Sequence, residues 1–171
     1  MAETWFRGEA AGGPVSTPGG HIQDFGDGMY LTDRLDVARE YAAGRAPGQP
    51  DRQMVQSVTF DPKALGRILD LRTDGRWTEY VRKDPLNRRA YEIVQTGRLN
   101  ETYGEMFQAF LETYGLDRSQ FDAIIGPEFV RGGTQLCIVN PNGQASRLAA
   151  QIRAKCGRSW SVRRSHRRHP P

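Results

Sequence analysis

The sequence predicts an α+β fold, and three observations carry that expectation. Met54 to Phe60 alternates, with Val55, Val58 and Phe60 set among polar residues, which is the period of a half-buried strand. Tyr103, Met106, Phe107, Phe110, Leu111 and Tyr114 instead fall on one stripe at helical spacing. The elements follow the order strand, strand, helix, strands, helices, strands, without the regular alternation of a doubly wound parallel sheet. A length of 171 residues suits one domain with a real core, and no internal repeat divides it.

Each element has its own local reason. Thr4 to Gly8 reads as a short strand, followed by a Gly- and Pro-dense stretch from Glu9 to Asp27 with no periodicity. Met29 to Thr32 is a second strand. Asp33 is a plausible N-cap for a helix carrying Leu35, Ala38 and Ala42 on one face, with Gly44 at its end. Pro47 to Asp51 breaks the chain, Met54 to Phe60 is a strand turning at Asp61-Pro62, and Ile68 to Leu71 is another strand candidate. Between Trp77 and Tyr114 the period is helical, with Leu86, Ala90, Ile93, Val94 and Gly97 preceding the aromatic stripe. That stripe is read as core packing, since an amphipathic face predicts the same pattern as a cofactor box. Phe121 to Ile125 and Gln135 to Asn140 are the last strands, and Gly143 to Ala154 is a candidate final helix.

Charge divides the chain into a body, residues 1–150, and a tail, residues 151–171. The tail holds seven of the 24 Arg and Lys residues and no acid, leaving 17 basic against 20 acidic residues in the body. So polar a tail cannot offset its own ordering entropy and is expected to be disordered. Its charge would draw nucleic acid or an anionic surface by attraction that weakens with salt, or simply keep the chain soluble. No window approaches the roughly 18 apolar residues of a membrane span, and MAETWFRGE lacks the pattern of a signal peptide. The expectation is a cytoplasmic protein as encoded, with any export needing a specialised route or an upstream carrier. Cys137 and Cys156 are too few and too far apart for a disulfide framework, so reduced thiols are expected.

Common catalytic signatures are missing. GxGxxG, the phosphate-loop motif, HExxH and CxxC do not occur, and His166 and His169 lie in the tail, which argues against a metal catalyst. A Ser/His/Asp triad would have to use His21 from within a Gly-rich loop.

The remaining chemistry-bearing residues fall in three places. Arg7 offers a planar, permanently charged fork for an anion, and Gly8 beside it permits close backbone approach. Tyr30 supplies an aromatic face, with the Thr32 hydroxyl on the same side of its strand. Gln135 opens the final strand, and Glu128 in the GPEFVRGG loop is the acid nearest to it in sequence; His21 and Asp27 are further candidates. Read singly, Arg7 suits a surface ion pair, Tyr30 a core aromatic, Thr32 a helix cap, Gln135 an ordinary strand residue and Glu128 a solvated loop acid.

Taken in order, FRGE, DFGDGMYLTDRLDVAREYA, VTFDPKALGRILDLRTD and FDAIIGPE followed by TQLCIVNP resemble the ADP-ribosyltransferase fold of bacterial polymorphic toxin and effector domains. The resemblance spans Thr4 to Asn142. It implies a split pair of small antiparallel sheets gripping NAD in a cleft, with flanking helices. It implies that Arg7 anchors NAD with Gly8 close to the carboxamide, that Tyr30 stacks on the nicotinamide ring, and that Thr32 and His21 complete the cofactor contacts. Gln135 stands at the position of the family's catalytic glutamate. A carboxylate there would balance positive charge on the ribose, whereas an amide can only hydrogen-bond, which leaves Glu128 to supply charge. The implied activity is transfer of ADP-ribose from NAD to a protein or RNA acceptor, with a cognate immunity protein as a possible partner. The alternatives are an NAD glycohydrolase toxin or a catalytically inactive NAD- or nucleic-acid-binding module.

Overall fold

The structure, a computed structural model, describes residues 1–12, 24–83, 99–129, 131–139 and 150–151. It is mixed α and β, with a six-stranded open sheet in the order β3-β1-β2-β6-β5-β4. The strands are β1 (Glu3–Ala10), β2 (Met29–Thr32), β3 (Gln53–Phe60), β4 (Ile68–Asp70), β5 (Ala123–Pro127) and β6 (Thr134–Ile138). β1 runs antiparallel to β3 over its whole length, from Glu3↔Phe60 to Ala10↔Gln53. β2 pairs with β6 from Met29↔Ile138 to Thr32↔Gln135, but meets β1 at the one register pair Phe6↔Thr32.

One continuous sheet therefore stands where the family resemblance implies two. The junction between β1 and β2 is short but closed, because Arg7 Nη1 donates to the Tyr30 carbonyl at 3.0 Å beside the Phe6↔Thr32 pair. The sheet is also not wholly antiparallel, since β4 and β5 run parallel from Ile68↔Ala123 to Asp70↔Ile125. Parallel neighbours need a long crossover, and the chain between these strands contains α2 (Arg76–Lys83) and α3 (Leu99–Thr113).

Helix α1 (Leu35–Arg45) differs from the expectation at both ends. Its N-cap is Arg34, while Asp33 continues the β2–β6 ladder: its amide donates to the Thr134 carbonyl at 3.0 Å and its carboxylate accepts from Thr134 N at 2.7 Å. Leu35 is 39% exposed, and Val37, Ala38 and Ala42 face inward. Gly44 lies inside the helix instead of ending it. The small inward residues match Gly8 on β1. A Cβ there would overlap Ala38 O and lie 2.6 Å from Ala42 N, so glycine lets helix and strand backbones touch.

The other end of the sheet is packed with aromatic side chains. Trp77 of α2 and Phe107 and Phe110 of α3 are buried with Phe25, Leu69, Ile124 and Cys137. Phe25 meets Phe107 edge-on at 4.9 Å, and Trp77 meets Phe110 at 5.2 Å. The stripe is core, as the period implied: Met106, Phe107, Phe110 and Leu111 are buried, and Tyr114 lies half-exposed under the Arg76 guanidinium. A second cluster holds Trp5, Met29, Leu31, Val58, Ile125, Leu136 and Ile138, the alternate residues of the same strands.

His21, the Tyr103 side chain, Leu86 to Val94 and Gly97, the expected helix from Gly143 apart from 150–151, Cys156 and the tail beyond Gln151 lie outside the described residues. Among the described residues no helix is long and apolar enough to cross a membrane.

Candidate functional site

The sheet order sets the three places named from the sequence on adjacent strands: Arg7 on β1, Tyr30 and Thr32 on β2, Gln135 on β6. Thr32 and Gln135 are direct register partners, so their side chains share a face. Arg7 stands in the row of Trp5 and Glu9, on the sheet face opposite that of Phe6, Thr32 and Gln135, pairs through Nε with Glu9, and holds the β1–β2 junction. Gly8 turns its missing side chain toward α1, so its bareness serves helix packing.

Tyr30 fixes a loop. Its ring packs against the aromatic cluster, and its hydroxyl donates to the Gly26 carbonyl at 2.6 Å and accepts from the Phe25 amide at 2.9 Å. Burial holds that hydroxyl far above the ordinary tyrosine range. Arg118 braces the same loop, donating through Nε to the Phe25 carbonyl at 2.7 Å and through Nη2 to that of Asp27. Gly26 supplies the left-handed turn at φ 82°, and Gly126 leaves room for the Phe25 ring, whose Cζ would lie 2.8 Å from a Cβ on Gly126. Asp27 is itself exposed.

The braced loop brings Asp24 to Gln135. Asp24, Thr32, Glu128 and Gln135 are the buried polar side chains among the described residues, none more than 3% exposed. Gln135 Nε2 donates to Asp24 Oδ2 at 2.7 Å and, more weakly, to the Pro127 carbonyl at 3.4 Å. Thr32 Oγ1 accepts from the Arg34 amide at 3.2 Å, a local turn bond just before α1; it does not cap the helix, whose N-cap is Arg34 with no side-chain cap bond. Glu128 is buried, not a solvated loop acid. Its carboxylate accepts from the Arg131 amide at 2.8 Å, in a turn closed by Glu128 N to Gly133 O and Gly132 N to Glu128 O. Arg131 reaches across to α1, donating to Glu40 at 2.9 Å with its guanidinium 4.9 Å from the centre of the Tyr41 ring.

Burial pushes the Asp24 carboxyl up to about 7; Glu128 adds to the rise, while the Gln135 hydrogen bond and Arg131 oppose it. Tyr41 is pushed up to about 12, again by burial first and by Glu128. Burial and the nearby Arg7 lower Arg45, at the end of α1. Burial also lifts the free Cys137 thiol to about 11, which leaves it poorly reactive at neutral pH.

A carboxyl titrating near neutrality, hydrogen-bonded to an amide and close to a second carboxyl, is equipped to hold or move a proton. No three His, Cys, Asp or Glu residues among those described group as metal ligands. A surface hollow of about 300 Å³ between α2 and α3 is lined by Glu79, Tyr80, Lys83 and Tyr114, and by none of the candidate site residues. Sequence reasoning missed Asp24, Tyr41 and Arg131. Only Asp24 carried a signal, being an acid at the close of a non-periodic loop. Comparison of the chain with protein-family models, curated proteins and solved structures finds no match.

Proposed function

We propose that this chain cleaves the nicotinamide–ribose bond of NAD and transfers ADP-ribose to a protein or RNA acceptor, as a toxin or effector domain of ADP-ribosyltransferase type. The sequence resemblance supports this reading, and the observation that carries it is the sheet order. Arg7, Tyr30 with Thr32, and Gln135 occupy three successive strands, β1, β2 and β6. Arg7 is the natural anchor for the dinucleotide's anionic centre. Bond cleavage develops positive charge on the ribose, and Gln135 alone cannot balance it. Glu128, whose charge is felt at Asp24, supplies the counter-charge behind that amide, and Asp24, bonded to Gln135, links the two.

The test incubates the full chain with NAD labelled in the adenylate moiety, with and without cell extract, following free nicotinamide and label on protein and on RNA. Label on one macromolecule class, lost in Arg7→Lys, is the expected result. Lysine keeps the charge at this junction while losing the bidentate fork. Nicotinamide release without transfer would identify a glycohydrolase. Neither product would overturn the reading, and calorimetry would then separate an inactive NAD-binding module from a chain that does not bind NAD.

A further inference from the structure

Two buried oxygens in the cluster have no hydrogen-bond partner among the described residues: Asp24 Oδ1 and Gln135 Oε1. Their groups are already joined on the other side, where Gln135 Nε2 donates to Asp24 Oδ2. The amide cannot relieve this by flipping, because Nε2 also points at the Pro127 carbonyl, and a flip would set Oε1 against two acceptors. One proton shared by the two bare acceptors of this acid–amide contact would satisfy both. We propose that Asp24 carries this proton and donates it to Gln135 Oε1, closing a two-bond acid–amide ring, so that the protonation of Asp24 governs how the Gln135 amide is presented.

The groups around Asp24 fit that assignment. Glu128 and Arg131 act on it from the turn between β5 and β6 with opposite signs, Gln135 bonds to it from β6, and the hydroxyls of Tyr30 on β2 and Tyr41 on α1 both feel its charge. Glu128 acts on Asp24 more strongly than Arg131 does, and burial disfavours the carboxylate most of all. Losing the proton breaks one bond of the ring and sets two oxygens in repulsion, which weakens the hold on the amide without letting it flip. Asp24 is thus a positioning residue acting through Gln135. Its bearing on turnover rests on the proposed NAD chemistry, whereas the ring itself does not.

Asp24→Asn tests the ring, because an asparagine amide reproduces the neutral acid: Nδ2 donates to Gln135 Oε1 and Oδ1 accepts from Nε2. A carboxyl raised from 3.8 to about 7 keeps its proton in the folded chain after the unfolded chain has lost it. Stability from this group is therefore complete below about pH 4, falls as pH rises to about 7, and is level above. In the full-length wild type, Tm should decline across that window, and carbon NMR should show one aspartate carboxyl titrating near neutrality. Asp24→Asn should match or slightly exceed the wild-type Tm at about pH 4.5, hold it as pH rises, and lack that resonance. The ring is overturned if the variant keeps the wild-type decline, if it is already destabilised at about pH 4.5, or if Glu128→Gln removes the near-neutral titration while Asp24→Asn leaves it. Where nicotinamide is released, the pH profile of kcat should lose its near-neutral limb in Asp24→Asn. A chain with the NMR signature and no NAD turnover would retain this inference and lose the proposed function.

Discussion

Two helical contacts on the same sheet are built from opposite materials. Where α3 meets β5 and β6, volume does the packing: Trp77, Phe107 and Phe110 fill the space with rings in edge and stacked contacts. Where α1 meets β1, absence of volume does it, with Gly8 against Ala38 and Ala42. The first contact fails when atoms are removed and the second when atoms are added. The close approach of α1 also has a purpose for the site, because it carries Tyr41 and Glu40 to Arg131.

The contrast can be tested from both sides. Phe110→Ala should cost about 3–5 kcal/mol in denaturant unfolding, the loss of a fully buried ring with its cavity. A cost under about 1 kcal/mol would mean that this contact is not volume-dependent. Gly8→Ala adds one methyl and should cost about 1–3 kcal/mol by the same measurement, through overlap with the α1 backbone. A neutral result would show that α1 can withdraw freely and would break the comparison. Gly44→Ala lies on the same helix with open space around its Cβ position, and should stabilise by about 0.5–1 kcal/mol. Together the two glycine variants separate a glycine required by contact from one that only weakens its helix.

Legibility in the sequence follows the same divide. The aromatic stripe of α3 and the strand character of β3 were plain because both are local periods; burial agrees for the stripe and for Val58 and Phe60, but the third inward residue of β3 is Met54, while Val55 is half-buried on the opposite face. The single sheet was not legible, since joining β1 to β2 depends on one backbone pair and an arginine reaching a carbonyl. The start of α1 was misplaced because Asp33 has a nonlocal partner, Thr134, that outcompetes a local cap. Gln135 and Glu128 were found by position. Asp24 was not, because what gives it meaning is a hydrogen bond 111 residues away along the chain. Periodicity reports what faces a core, and it carries no information about which polar groups meet within one.

The narrow contact between β1 and β2 has a consequence for how the molecule comes apart. β1 and β3 share eight rungs and β2 and β6 share four, yet the two sets meet at one residue pair supplemented by a guanidinium. Cooperative units in proteins divide where few backbone bonds cross, and hydrogen exchange reads those divisions. Hydrogen exchange should therefore divide this sheet into β3-β1 and β2-β6-β5-β4, with Arg7 as the clasp between them, and an event that recruits that side chain elsewhere should loosen the join.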